Sequence, residues 1–257
     1  MNRILAPLLL AIALPLSAIP ALAHAIEDSD RGDPQLLYSA MAQIQDDAFS
    51  LDYGTQREDS LRLFLAIAEE ARVAQLRFAQ DPAQVRIFSE REGVFLFYAS
   101  EYHEFDDDDH EGRLRELGWL VKSVAAIERS LVPDLDPVFP FYEYRSAAAQ
   151  LFDQAAWLGD PRLADFAASS VRANRLSLAR YATPDGDGDG ESTAFEKNML
   201  AQSLYQLGYL TDDAARIAEA NALADELGSD ATEYSTQAMR DAMAEGNSPF
   251  PAPGNDY

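Results

Sequence analysis

The sequence predicts an all-α protein of packed helical hairpins, and three observations carry that expectation. Apolar residues recur at helical spacing along most of the chain. Alanine, the strongest helix former, is spread throughout. The candidate helices are joined by short turns, as successive antiparallel pairs require.

Taken in order, a first helix is expected at 35–47. The second is anchored by Thr55 and Glu58 at capping-box spacing, after which Leu61, Phe64, Leu65 and Ala68 fall at i, i+3, i+4 and i+7 on one face. Further helices are expected at 111–131, 141–158, 161–182, 194–207, 211–227 and near 230–244. Residues 85–98 read two ways. VRIF (85–88) and VFLFY (94–98) flank SEREG as the arms of a hairpin would, whereas Asp81 as N-cap with Pro82 at the first helical position would start a helix ending at Gly93. The helical flanks favour the second reading. Trp119 and Trp157 lie within helical patterns and are expected in the core. The proline-rich GNSPFPAPGNDY, 246–257, is expected to be a frayed, extended and disordered tail.

The N-terminal MNRILAPLLLAIALPLSAIPALAHA has one positive charge at Arg3, an apolar run from Ile4 to about Ile19 and two overlapping A-x-A sites, the layout of a secretory signal peptide. Pro7 and Pro15 interrupt the run, which is also short for a bilayer span. Cleavage after Ala23 or Ala25 is expected, and removing 25 of the 257 residues leaves 232, enough for one larger domain or two small ones. The expected organisation is a cleaved signal at 1–25, a polar leader at 26–34, a helical domain at 35–245 and the tail. No later apolar stretch approaches membrane length, the longest dense one being Val94 to Ala99, so no membrane insertion is expected after cleavage. Export to a bacterial periplasm or beyond the cell follows from the signal.

Twenty basic residues stand against 44 acidic ones, a formal charge of −24 that becomes −25 when Arg3 leaves with the signal. Such a field repels phosphate backbones and concentrates cations, which excludes nucleic acid as a partner. There is no cysteine, hence no disulfide, thiolate metal site or cysteine nucleophile.

LAQSLYQLGYLTDDAARIAEANAL, 200–223, resembles a degenerate tetratricopeptide-type pair, with Leu204, Gly208 and Tyr209 near the turn and Ala214, Ala215 and Ala218 on the second helix. LFDQAAWLGDPRLADFAA, 151–168, has a similar turn at Gly159. The two glycines are 49 residues apart, which departs from the family's repeat of about 34 residues by roughly the size of the acidic insertion between them. The resemblance covers about a third of the mature chain and implies a helical-hairpin array.

That insertion is DGDGDGESTAFE, 185–196. An EF-hand loop needs oxygen ligands at positions 1, 3 and 5, glycine at 6, a carbonyl at 7, a further group at 9 and a bidentate carboxylate at 12. From Asp185, the chain places Asp187 and Asp189 at 3 and 5, Gly190 at 6, Glu191 at 7, Thr193 at 9 and Glu196 at 12. The stretch therefore resembles a single EF-hand loop, and the resemblance implies Ca2+ bound by Asp185, Asp187, Asp189, Glu191, Thr193 and Glu196. The four carboxylates at positions 1, 3, 5 and 12 repel one another until a hard dication neutralises them, and magnesium would demand tighter octahedral geometry. Ser192 at position 8 and Pro184 just before the loop depart from the family pattern. They imply an unpaired, weak site, on the order of 10⁻⁴ to 10⁻³ M. The alternative reading is a solvated linker in which Thr193 and Glu196 form a capping box.

A second acidic cluster, EYHEFDDDDHEG at 101–112, offers His103, Glu104, Asp106, Asp107, Asp108, Asp109, His110 and Glu111. A calcium count from Asp107 puts Gly118 at position 12, so the closing ligand is missing. A metal-dependent enzyme or transition-metal binder on 103–111 is the alternative function, although the histidine spacing fits no HExxH motif and an exposed inter-helix loop is the plainer account. His24 could chelate copper as an N-terminal residue only if cleavage follows Ala23. No GxSxG is present and no catalytic carboxylate pair stands out, so no catalytic residue is assigned. The sequence thus points to an exported, non-enzymatic, calcium-binding helical protein, in which the ion orders a hairpin junction for structural support or for interaction with a protein partner.

Overall fold

The computed structural model describes residues 26, 30–106, 109–131, 139–181, 190–233 and 235–250, without the side chains of 190–192, 232 and 233. Residues 1–25, where a signal peptide is expected, including His24, the acidic residues 182–189 and the residues beyond Phe250 lie outside the described residues. Among the described residues all regular structure is helical. A 3-10 turn, Asp30–Gly32, precedes α1 (Pro34–Ser50), α2 (Arg57–Arg77), α3 (Pro82–Glu101), α4 (His110–Ser130), α5 (Phe141–Leu158), α6 (Leu163–Tyr181), α7 (Gly190–Thr211), α8 (Ala214–Leu227), the one-turn α9 (Asp230–Glu233) and α10 (Thr236–Ala244). None is long and apolar enough to cross a membrane.

Aspartate starts many of these helices, because its carboxylate takes up the free N–H groups of a first turn and suits the positive end of the helix dipole. Asp33 accepts from Gln35 N and Leu36 N ahead of Pro34. Asp81 accepts from Ala83 N and Gln84 N ahead of Pro82. Asp109 caps α4 through Gly112 N and Asp213 caps α8 through Ala215 N and Arg216 N. The Thr55–Glu58 box does not form: α2 starts after Gln56 with no side-chain cap. Asp52 instead accepts from Gly54 N, Thr55 N and the Thr55 hydroxyl, so a local turn claims the threonine first.

Each of the first eight helices packs on its successor, and α10 closes on α7. The three largest clusters of the apolar interior follow that order. Leu37, Met41, Ile44, Phe64, Ile67 and Phe88 fill the space between α1, α2 and α3. Leu120, Val124, Ile127, Tyr144 and Leu151 join α4 to α5, and Val171, Leu200, Leu204, Tyr205 and Met239 join α6 to α7 and α10. Alternate helices also meet. On one side α1, α3, α5 and α7 are linked by Arg91 over Tyr38, the Tyr98 hydroxyl on Glu143, and the Arg145–Glu196 ion pair. On the other, Arg172 of α6 pairs with Glu128 of α4 and Arg175 of α6 with Glu219 of α8. The array therefore has two layers, the first joined by an arginine–aromatic contact, a hydrogen bond and an ion pair, the second by ion pairs.

Helix α3 is an inner element of the first layer and has no exposed residue from Gln84 to Ser100. The dense apolar runs VRIF and VFLFY, which made 85–98 ambiguous, are what a helix packed by neighbours on several sides requires. It does not end at Gly93. A Cβ there would lie 2.5 Å from Ile127 Cγ1 and 2.8 Å from the Ser123 carbonyl, so this glycine marks the crossing with α4. Gly208 likewise lies inside α7, where its missing side chain admits Ile217 of α8, and the turn itself is at Asp212, in the left-handed region with φ 52°. Gly159 is a true helix end, left-handed at φ 65°, with the Asp160 N–H returning to the Ala155 carbonyl.

Other expectations are adjusted. Trp119 packs against the first cluster, but Trp157 is 43 % exposed, with the Arg113 guanidinium 4.3 Å from its ring. The helix expected near 230–244 is broken at Ser235, which adopts φ 64°. The leader is not wholly detached, since Ile26 is buried in the first cluster and Arg31 pairs with Glu70 of α2. The described start of the tail is seated too, with Phe250 against Phe152 and Tyr209.

Candidate functional site

The acidic stretch connects α6, which ends at Tyr181, to α7, which begins at Gly190. Of the residues expected to hold calcium, Asp185, Asp187 and Asp189 and the side chain of Glu191 fall outside what is described. Thr193 is half-buried in the first turn of α7, inside the helix, so it is not an N-cap and the alternative capping box with Glu196 is absent. The helix starts earlier than expected. Glu196 thus sits six residues past Gly190, about 9 Å along the axis.

Glu196 faces inward and is 2 % exposed. Arg145 of α5, its side chain 13 % exposed, donates from Nη1 to Glu196 Oε1, and its guanidinium lies 4.9 Å from the Phe195 ring. The second oxygen, Oε2, is buried and makes no hydrogen bond of good geometry among the described residues, although the Ser177 hydroxyl lies near enough to this carboxylate to act on its pKa. Burial pushes the Glu196 pKa up, and the charge of Arg145 and the nearby Ser177 offset that only in part. Below this pair the α6–α7 interface stays polar: Asn174 Nδ2 donates to the Met199 carbonyl at 3.2 Å and to Ser203 Oγ at 3.3 Å. A buried acceptor without a donor costs on the order of 1–3 kcal/mol, so Oε2 is a place where a proton, a water or a cation gains most.

The second acidic cluster is put to structural use. Asp109 caps α4, and the His103 ring stands edge-on to Trp119 at 5.0 Å, where burial lowers its pKa and keeps it neutral. His110 turns instead towards Trp157, 6.2 Å away. The two histidines thus serve different tryptophans, and among the described residues no group of three or more His, Cys, Asp or Glu side chains is arranged to hold a metal ion. Arg57 of α2 completes this end of α3 by donating to the carbonyls of Glu101, Tyr102 and His103, which otherwise lack helical donors.

Sequence reasoning missed Glu116. It lies on α4, 7 % exposed, and accepts from Gln154 Nε2 of α5 at 3.2 Å, while Arg113 holds the amide oxygen of the same glutamine at 3.1 Å. Burial pushes its carboxyl up to about 7; Gln154 and Arg113 oppose the shift and Glu101 adds to it. The folded protein therefore keeps a proton that the unfolded chain releases. Its contribution is fully present below about pH 4.5, the ordinary carboxylate value, and is lost as pH rises through about 7. Stability measured by urea denaturation is expected to fall by roughly 2 kcal/mol between pH 5 and pH 8. Glu116→Gln is expected to flatten that slope, and an unchanged slope in the variant would assign it to other groups.

Comparison with protein-family models, with curated proteins and with solved structures gives no match.

Proposed function

We propose that the protein is an exported, non-enzymatic calcium-binding helical scaffold, in which the ion is held by the connection between α6 and α7 and orders that junction for structural support or protein interaction. The ligands are Asp185, Asp187, Asp189, the Glu191 carbonyl, Thr193 and Glu196. The observation that carries the reading is Glu196: position twelve of the acidic pattern is a buried carboxylate with one oxygen that makes no well-formed hydrogen bond among the described residues. A dication supplies what that oxygen and the neighbouring aspartates need, neutralisation without a further hydrogen bond. Arg145 already occupies Oε1. Bidentate closure would require it to yield, which agrees with weak affinity, on the order of 10⁻⁴ to 10⁻³ M.

Binding to the folded state alone stabilises by mass action. With 10 mM calcium the gain is about 1.4–2.7 kcal/mol at that affinity, a rise of several degrees in Tm relative to a chelator control. Asp187→Asn is expected to remove the gain while leaving the calcium-free Tm unchanged. A Tm in calcium equal to that in chelator, together with no heat of binding by calorimetry, would sink the proposal.

A further inference from the structure

Five aromatic side chains are exposed among the described residues: Phe49, Tyr53, Tyr142, Trp157 and Tyr209. Four of them share one place in the fold. Phe49 is one residue from the end of α1, Trp157 one from the end of α5 and Tyr209 two from the end of α7, while Tyr53 lies in the turn after α1. The half-buried Tyr102 caps α3 in the corresponding position. These helices run parallel: Tyr38 meets Arg91 where Phe49, further along, meets Tyr98 and Tyr102, and Tyr98 meets Glu143 where Glu101 meets Gln150. Helix α7 resumes the direction after the reversal through α6. The four rings therefore line the edge of the first layer at which its helices end.

That edge is also negative. Helices α1, α3, α5 and α7 turn the negative ends of their dipoles towards it. Helices α4 and α8 start behind it, but Asp109 and Asp213 cover their positive ends. The turns between carry the exposed acids Asp52, Glu104, Asp106 and Asp212. Two of the protein's own arginines already use the edge as a seat for cations. Arg57 lies 4.6 Å from the centre of the Tyr53 ring while donating to the carbonyls of Glu101, Tyr102 and His103, and Arg113 lies 4.3 Å from that of Trp157. The face of an aromatic ring attracts a cation through its quadrupole, and a guanidinium also stacks on it. We propose that this edge is an interaction surface for a cationic polypeptide segment, whose arginine or lysine side chains lie on the exposed parts of Phe49, Tyr53, Trp157 and Tyr209 with the acids of the turns beside them. The formal charge of −24 draws such a partner in. The α6–α7 junction is at the opposite edge, so calcium plays no part in this contact.

The test is calorimetric titration of the purified protein with hexa-arginine in about 0.15 M sodium chloride, where long-range attraction is screened. Two double variants keep the net charge and remove rings from different helices, Phe49→Leu with Tyr53→Leu and Trp157→Leu with Tyr209→Leu. Circular dichroism checks that each is folded, and if one is not, the other decides. The expected result is binding to wild type that weakens by roughly two- to fivefold per ring removed. Tyr142→Leu is the control, because this exposed ring stands at the opposite end of α5 and its loss is expected to change nothing. No binding of hexa-arginine, unchanged affinity in a folded double variant, or an equal loss in Tyr142→Leu would each overturn the proposal. So would a wild-type dimer that the double variants abolish, since a second copy would then occupy the edge.

Discussion

Glu196→Ala is expected to destabilise the protein by about 3–5 kcal/mol in chelator, the cost of leaving a buried charge without its partner. The charge left behind is that of Arg145, 13 % exposed and enclosed by Phe195 and Tyr142. The pair itself is a poor source of net stability. Burial already pushes the Glu196 pKa up despite the guanidinium beside it, a sign that desolvation outweighs the attraction. Replacing both partners, Arg145→Met with Glu196→Leu, is therefore expected to be neutral or stabilising. Urea denaturation of the two single variants and the double variant closes the cycle, with the coupling between the sites as the quantity read. A Glu196→Ala variant within about 0.5 kcal/mol of wild type, the range of ordinary surface changes, would mean that Arg145 is not held in place by this carboxylate. Calcium then distinguishes the two tenants of Glu196: in wild type the ion and Arg145 draw on one side chain, whereas in the double variant the aspartates must bind the ion alone and more weakly.

The helical architecture was legible because its signals are local. Asp81 followed by Pro82 states a helix start by itself, and so does Gly159 followed by Asp160 a helix end. What stayed hidden depends on partners far along the chain. Gly93 and Gly208 carry the same letter as a helix-ending glycine, but their role is set by Ile127 and Ile217 on the next helix. Trp157 has helical spacing and large apolar area, yet its face falls at the layer edge, where Arg113 covers it. The candidate site divides in the same way. Its acidic spacing is visible in twelve consecutive residues. The partner that decides the electrostatics of position twelve is Arg145, 51 residues earlier, and no periodicity in the sequence connects them. Glu116 is concealed for a similar reason: only the packing of α4 on α5 removes it from water.

Gly93→Leu is expected to be the most damaging substitution on α3, at or above the upper end of the roughly 1–3 kcal/mol that overpacking a core costs. Even the first added carbon meets Ile127 Cγ1 at 2.5 Å, the Ser123 carbonyl at 2.8 Å and the Ile127 nitrogen at 3.0 Å. A side-chain methylene can turn aside, but the two backbone atoms can move only with the whole of α4. That helix is held close by two buried hydroxyls, Ser123 Oγ donating to the Gly93 carbonyl at 2.7 Å and Ser89 Oγ to the Ala126 carbonyl at 2.9 Å. Separating the helices to admit a side chain would break both bonds and open the contacts around Ile127 and Phe95. Gly118 supplies the control on the partner helix, since a Cβ there meets nothing within 4 Å. Gly118→Ala keeps the helix-propensity gain, up to about 1 kcal/mol, without the clash. Gly93→Ala earns the same gain but must displace α4, and its net effect is expected to be a loss. Urea midpoints of the alanine variants at the two positions should thus move in opposite directions, and a rise at both would show that α3 and α4 do not cross at Gly93.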